Sequence, residues 1–161
     1  MTSRSFVRPF LAALASVSLL AAAGAFAQTA GADGLVKVKS AYGMDETIAR
    51  IRKDIADKGI LFFGAIDQSK LAADAGIKLH PSTLLVFGNP PLGTQFMTSN
   101  PNSGLDWPVR LLVYQDAKGD VWTTYTDFTW IANRHAISDR AEQFAKATGV
   151  VASITSTIKA N

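Results

Sequence analysis

The period of the apolar residues changes several times along this chain, and each change predicts an element. Val36 and Val38 alternate with Lys37 and Lys39, the two-residue period of a half-buried strand. Met44, Ile48, Ile51 and Ile55 then recur at helical spacing, one stripe that can face a core. Asp45, Glu46, Arg50, Lys53, Asp54, Asp57 and Lys58 lie between them and read as a solvated helix face. Acids lead and Lys58 closes, which suits the helix dipole, and Gly59 is a natural terminator. Ile60 to Ile66 is a continuous apolar run and predicts a central strand. Asp67 or Ser69 caps a short helix over Lys70 to Ala75, stopped by Gly76.

Beyond it, His80-Pro81 opens a strand over Thr83 to Phe87. Asn89 caps a helix that has Pro90 and Pro91 in its first turn, runs to about Ser99 and ends before Pro101. Val109 to Gln115 and Val121 to Thr126 form a hairpin whose turn takes its left-handed residue from Gly119. Phe128 to Arg134 is a short helix. Ser138 is expected to cap a last helix with Ala141, Phe144 and Ala145 on one side, which Gly149 kinks or breaks before Val151, Ile154 and Ile158. The order of elements predicts an α+β domain: a mostly antiparallel sheet with helices packed on one face.

The N-terminus follows another logic. Arg4 and Arg8 precede the uncharged run Phe10 to Ala23, and Ala25-Phe26-Ala27 is a small-x-small cleavage signal. The run is shorter than the roughly 20 residues of a membrane span. Residues 1–27 are therefore expected to be a secretory signal peptide, 28–34 a flexible leader and 35–159 a single domain. The protein would be periplasmic or secreted after cleavage near Ala27, with no membrane insertion thereafter. Of the 16 cations against 13 acids, Arg4 and Arg8 leave with the signal, so the exported chain is close to neutral. Nucleic-acid binding is not expected from such a surface. The chain has no cysteine, which excludes thiol chemistry, disulfides and cysteine-ligated metals.

Val86-Phe87-Gly88-Asn89-Pro90-Pro91-Leu92-Gly93-Thr94 resembles the hallmark of the domain of unknown function 302 family. So does Gly104-Leu105-Asp106-Trp107-Pro108-Val109-Arg110 leading into Leu112-Val113-Tyr114, and Gly119 to Tyr125 with Asn133-Arg134-His135 fits one branch of it. The resemblance spans about Val36 to Ile158. It implies a fold similar to the TATA-binding-protein half-domain, β-α-β(4)-α, often as a homodimer, and no established reaction. One branch carries cysteines where this chain has Gly88 and Val109, so no redox or metal role transfers. Asp127-Phe128 stands where that family would have Asp-Pro or Asn-Pro.

No catalytic motif is recognisable: there is no G-x-S-x-G, phosphate loop, dinucleotide fingerprint or metal-binding histidine pair, and neither cofactor nor metal is expected. The candidate ligand contacts are Asn89, Thr94, Arg110, Arg134 and His135, suited to a small anionic or polar ligand. Each has a plainer reading. Asn89 can cap its helix, Arg110 can pair with Asp106 or Asp127, and Arg134 and His135 can be helix-end hydrogen-bonders. The rival reading is a small enzyme with His135 as general acid/base and Tyr125 or Asp127 as its orienter. A sheet with helices on one side alone would leave Leu112, Tyr114 or Trp122 on its other face, the candidate dimer interface; the plainer reading is that the C-terminal helix covers them.

Overall fold

The computed structural model describes residues 30–160, so the expected signal peptide and the first residues of the leader lie outside the described residues. The elements are β1 (Leu35–Lys39), α1 (Met44–Asp57), β2 (Leu61–Asp67), α2 (Gln68–Asp74), β3 (Ser82–Gly88), α3 (Pro90–Ser99), a 3-10 turn (Pro101–Leu105), β4 (Val109–Gln115), β5 (Val121–Thr126), α4 (Phe128–Arg134) and α5 (Ala141–Ser156). The strands form one antiparallel sheet in the order β1-β5-β4-β3-β2. The α+β architecture is as the sequence predicts.

Strand alternation sorts the side chains. Val36, Val38, Leu85, Phe87, Val109, Leu111, Val113, Thr123 and Tyr125 are buried beneath the helices. The α1 stripe delivers Ile51 and Ile55, and α5 delivers Val151 and Ile154, all at 1% exposure or less. Burying each such side chain contributes about 1.5–3 kcal/mol, which far outweighs any single surface pair. The i,i+4 pairs Glu46–Arg50, Asp54–Lys58 and Lys53–Asp57 line the outer side of α1, a solvated face. The chain closes on itself where Ala41 N donates to Ile158 O at 2.8 Å.

Four local expectations are corrected. The apolar run after Gly59 forms an edge strand, not a central one, because β2 pairs only with β3. A bulge between Phe62 and Gly64 leaves Phe63 about half exposed, while Phe62 stays inside beneath the Arg52 guanidinium, 4.8 Å from its ring. The last helix begins at Ala141 with Arg140 as its N-cap and no side-chain cap bond, so Ser138 is not its cap. Its buried side is Phe144, Ala147, Val151 and Ile154, whereas Ala141 and Ala145 are exposed. The helix also runs unbroken through Gly149. A mid-helix glycine costs about 1 kcal/mol relative to alanine, less than the burial of Val151 and Ile154 returns.

Asp67 and Asn89 cap their helices as expected, and Asp127 does the same for α4. Asp67, Asn89 and Asp127 accept from Lys70 N, Leu92 N and Trp130 N, at 2.8, 3.3 and 2.9 Å. Asp127-Phe128 thus works as a helix start without a proline. Gly59 and Gly119 have φ of 63° and 86°, the left-handed region their turns require.

Candidate functional site

Asp106 is the polar hub of the fold. Its side chain is 3% exposed, at the end of the 3-10 turn where its backbone N–H donates to Ser103 O. His135 Nε2 donates to Asp106 Oδ2 at 2.7 Å. Arg134 NH1 reaches both carboxylate oxygens, at 3.2 and 3.1 Å, and Arg110 NH2 reaches Oδ1 at 3.1 Å. Arg110 also holds Leu105 O at 2.9 Å, and Asn100 Nδ2 donates to His135 O at 2.9 Å. One carboxylate therefore joins the turn after α3, the start of β4 and the end of α4. Arg110 lies on the face of the sheet away from the helices, with half its side chain in solvent. The His135 side chain is 5% exposed.

The structure thus brings Arg110, Arg134 and His135 together around a residue that the sequence offered only as a partner for Arg110. The space bounded by Asp106, Arg110 and Tyr125 is about 10 Å³, room for one water molecule at most. The carboxylate bonded to His135 is Asp106. Asp127 is committed to the cap of α4, and the Tyr125 phenol is bonded to Thr155.

Asn89 and Thr94 sit apart from this cluster. Thr94 Oγ1 donates to Pro90 O at 2.7 Å, a bond within its own helix. Asn89 caps α3 and stays exposed beside a second, larger space. That space is a cavity of about 340 Å³ between the sheet and α5. Its lining is Phe87, Gly88 and Val109 from the strands, Leu92 from α3, Trp107, Phe128, and Ala147, Val150 and Val151 from α5, with Ile60, Asn89, Lys58 and Lys146 completing it. Gly88 and Val109, where one branch of the resembling family has cysteines, both line it.

The hallmark glycines are explained by Trp107. A Cβ at Gly93 would lie 1.8 Å from the indole Cε2, and one at Gly88 would lie 2.7 Å from Cζ2. The indole is laid flat on backbone that only glycine leaves bare. Its other neighbour is Phe96, edge-on at 6.3 Å, which in turn stacks on Phe144 at 4.2 Å. This aromatic series ties α3 to α5, and its Trp107 lines the cavity. Gly93 read from sequence permits close approach, and the structure supplies the group that approaches.

On the sheet face away from the core, Leu84, Val86, Leu112, Tyr114 and Trp122 remain partly exposed in adjacent strands. Trp122 Nε1 donates to Asp116 Oδ2 at 3.0 Å, and the Lys39 ammonium lies 5.8 Å from its ring.

Burial, reinforced by Asp127, pushes the Tyr125 phenol up from 10.0 to about 12. The unfolded chain loses this proton near pH 10 and the folded one only near 12. The Tyr125 contribution to stability is therefore complete below pH 10 and is lost as pH rises through 12. Urea midpoints measured from pH 9 to 12 should fall more steeply for the wild type than for Tyr125→Phe; parallel curves would remove Tyr125 as the source.

Comparison with known proteins places this geometry. The crystal structure of an uncharacterised conserved protein DUF302 from Bacillus stearothermophilus superposes with a TM-score of 0.72 at 20% identity, over 78% of this chain and 98% of that one. At that identity the likeness establishes the fold. Curated relatives are 38% identical over 114 residues: "Fluoride-specific ion channel FluC 1" of Brucella suis biovar 1 and "Fluoride-specific ion channel FluC 2" of Brucella melitensis biotype 1. The match takes in 71% of this chain but only 45% and 42% of those proteins, so the chain spans less than half the length of the curated relatives it matches. The family model described as "Domain of unknown function DUF302" matches residues 36–154, β1 to α5, and the chain belongs to that family.

Proposed function

We propose that this domain is an exported, homodimeric module that binds a small molecule and catalyses no reaction. The contrast between the His135 cluster and the cavity under Trp107 carries the reading. The cluster with the polar chemistry, Asp106, Arg110, Arg134 and His135, is internally paired and has about 10 Å³ beside it. Of two spaces of ligand size among the described residues, the one of about 320 Å³ between α4 and α5 has Thr129, Ser138 and Thr148 in its lining, whereas the one of about 340 Å³ is walled by apolar and aromatic side chains and lies under the hallmark motif. A general acid/base must reach its substrate, and His135 is enclosed. The polar ligand expected around Arg134 and His135 gives way to one seated against Trp107.

The homodimer rests on the partly exposed Leu112, Tyr114 and Trp122, an apolar patch of the kind that marks partner surfaces. Among the described residues no helix is long and apolar enough to cross a membrane. The channel activity named for the Brucella relatives is not part of this reading, since the match takes in less than half of their length.

One experiment tests these points together. Native mass spectrometry of the gently purified protein should give a dimer whose chains begin at Gln28 and carry a reproducible added mass. Val150→Trp, which fills the cavity, should lose the added mass and keep the dimer. Trp122→Glu should give a monomer that retains it. An added mass unaffected by Val150→Trp would put the ligand elsewhere, and an added mass never seen at all would count against the binding reading.

A further inference from the structure

We propose that the cavity selects an amphipathic anion: a single short alkyl chain or aromatic ring bearing one carboxylate. The inference rests on the binding reading above and adds the ligand's chemical class. The walls are apolar, with Phe87 and Trp107 among them, so a ligand that is polar throughout would lose its hydration without replacement bonds. The charged residues lining the cavity are Lys58 and Lys146, and no Asp or Glu lines it. Lys58 is held by Asp54 at 2.5 Å, which fixes its ammonium at the end of α1. Lys146 is exposed and has no ion-pair or hydrogen-bond partner among the described residues. With Asp54 offsetting Lys58, Lys146 leaves the lining with one net positive charge over an apolar interior. That arrangement complements a molecule with an apolar body and an anionic end, whose tail fills the space while its carboxylate stays at the lysines in partial contact with water.

Calorimetric titration of the purified protein at pH 7 with octanoate, 1-octanol and octylammonium tests the assignment. Octanoate should bind up to about fivefold more tightly than 1-octanol, the scale of a partly exposed ion pair, and octylammonium more weakly than both. The double variant Lys58→Gln, Lys146→Gln should bring octanoate to the affinity of 1-octanol and leave 1-octanol unchanged. Both lysines are surface residues, so the variant folds, and unchanged 1-octanol binding reports it. Equal affinities for octanoate and 1-octanol in the wild type, or an octanoate preference that survives in the double variant, would overturn the anion assignment while the binding reading stands. No binding by any of the three would overturn the binding reading and this inference with it, and equal binding to Val150→Trp would put the ligand outside this cavity and overturn this inference.

Discussion

Asp106→Ala should destabilise the protein by about 2–4 kcal/mol, the scale for orphaning the buried His135 donor together with the loss of hydrogen bonds to two half-exposed guanidinium groups. The carboxylate is 3% exposed and carries His135, Arg134 and Arg110, so its loss strips an enclosed ring of its acceptor and leaves two guanidinium groups unopposed. A domain stable by about 5–15 kcal/mol would lose a substantial part of its margin. The partners should not be equal. Arg110→Ala should cost less than about 1 kcal/mol, because half of that side chain is already in solvent. His135→Ala should fall between, near 1–3 kcal/mol, since it orphans one buried acceptor. Urea unfolding of the three variants gives the order directly. If Arg110→Ala costs as much as Asp106→Ala, the hub is not Asp106. If Asp106→Ala is folded and unchanged in stability, the cluster is not structural and His135 returns as a catalytic candidate.

Gly93→Ala should be the second large loss, and its sign is informative. In the middle of α3, alanine would ordinarily be favoured over glycine by about 1 kcal/mol. Here the new methyl would fall 1.8 Å from Trp107 Cε2 and 2.1 Å from Cζ2. The whole indole must move, and it is packed against Phe96. Forcing an added methyl into such a site costs about 1–3 kcal/mol, enough to overcome the helical preference. With Trp107→Leu already present, the same glycine replacement should become neutral or stabilising, because the ring that it strikes is gone. A double-mutant cycle on thermal or urea stability reads this coupling. Additive effects would mean that Gly93 is needed for something other than the indole.

How much of this was legible in the sequence depends on the range of the interactions involved. Helix starts are local, and Asp67 and Asn89 do cap the helices that follow them, while Asp127, read only as a partner for Arg110 or His135, caps α4. The hairpin ends, Val109–Gln115 and Val121–Thr126, are likewise where alternation and Gly119 put them. The edge position of β2 was not legible, because an apolar run does not say how many strands will flank it. The start of α5 was missed for a related reason. Ser138 has the right chemistry for a cap, but the chain reaches helical geometry only after Arg140. Gly149 marks a break in local terms, and burial of Val151 and Ile154 by distant strands overrides it.

The site was half legible. Arg110, Arg134 and His135 are the polar residues that stand out beside apolar segments, and they do converge. Their centre was nearly missed, since Asp106 lies in a turn with no periodic pattern. One signal was available: an acid placed four residues before an arginine that interrupts an apolar strand. The cavity left no such trace. It exists because α5 lies across Phe87, Val109 and Trp107, a packing event between segments far apart in the chain. Its one local sign is Gly88 and Gly93, two small residues flanking Asn89-Pro90-Pro91, whose meaning appears only once Trp107 is laid on them.

The central claim is that ligand binding belongs to the apolar cavity and that the His135 cluster is part of the scaffold. A 15N–1H NMR titration with 1-octanol, a neutral probe that presumes nothing about charge, tests it most directly. The account predicts saturable shifts at Gly88, Leu92, Val150, Val151 and the Trp107 indole N–H, with Arg134 and His135 unmoved. Shifts centred on Arg110, Arg134 and His135, or no saturable shift anywhere, would contradict it.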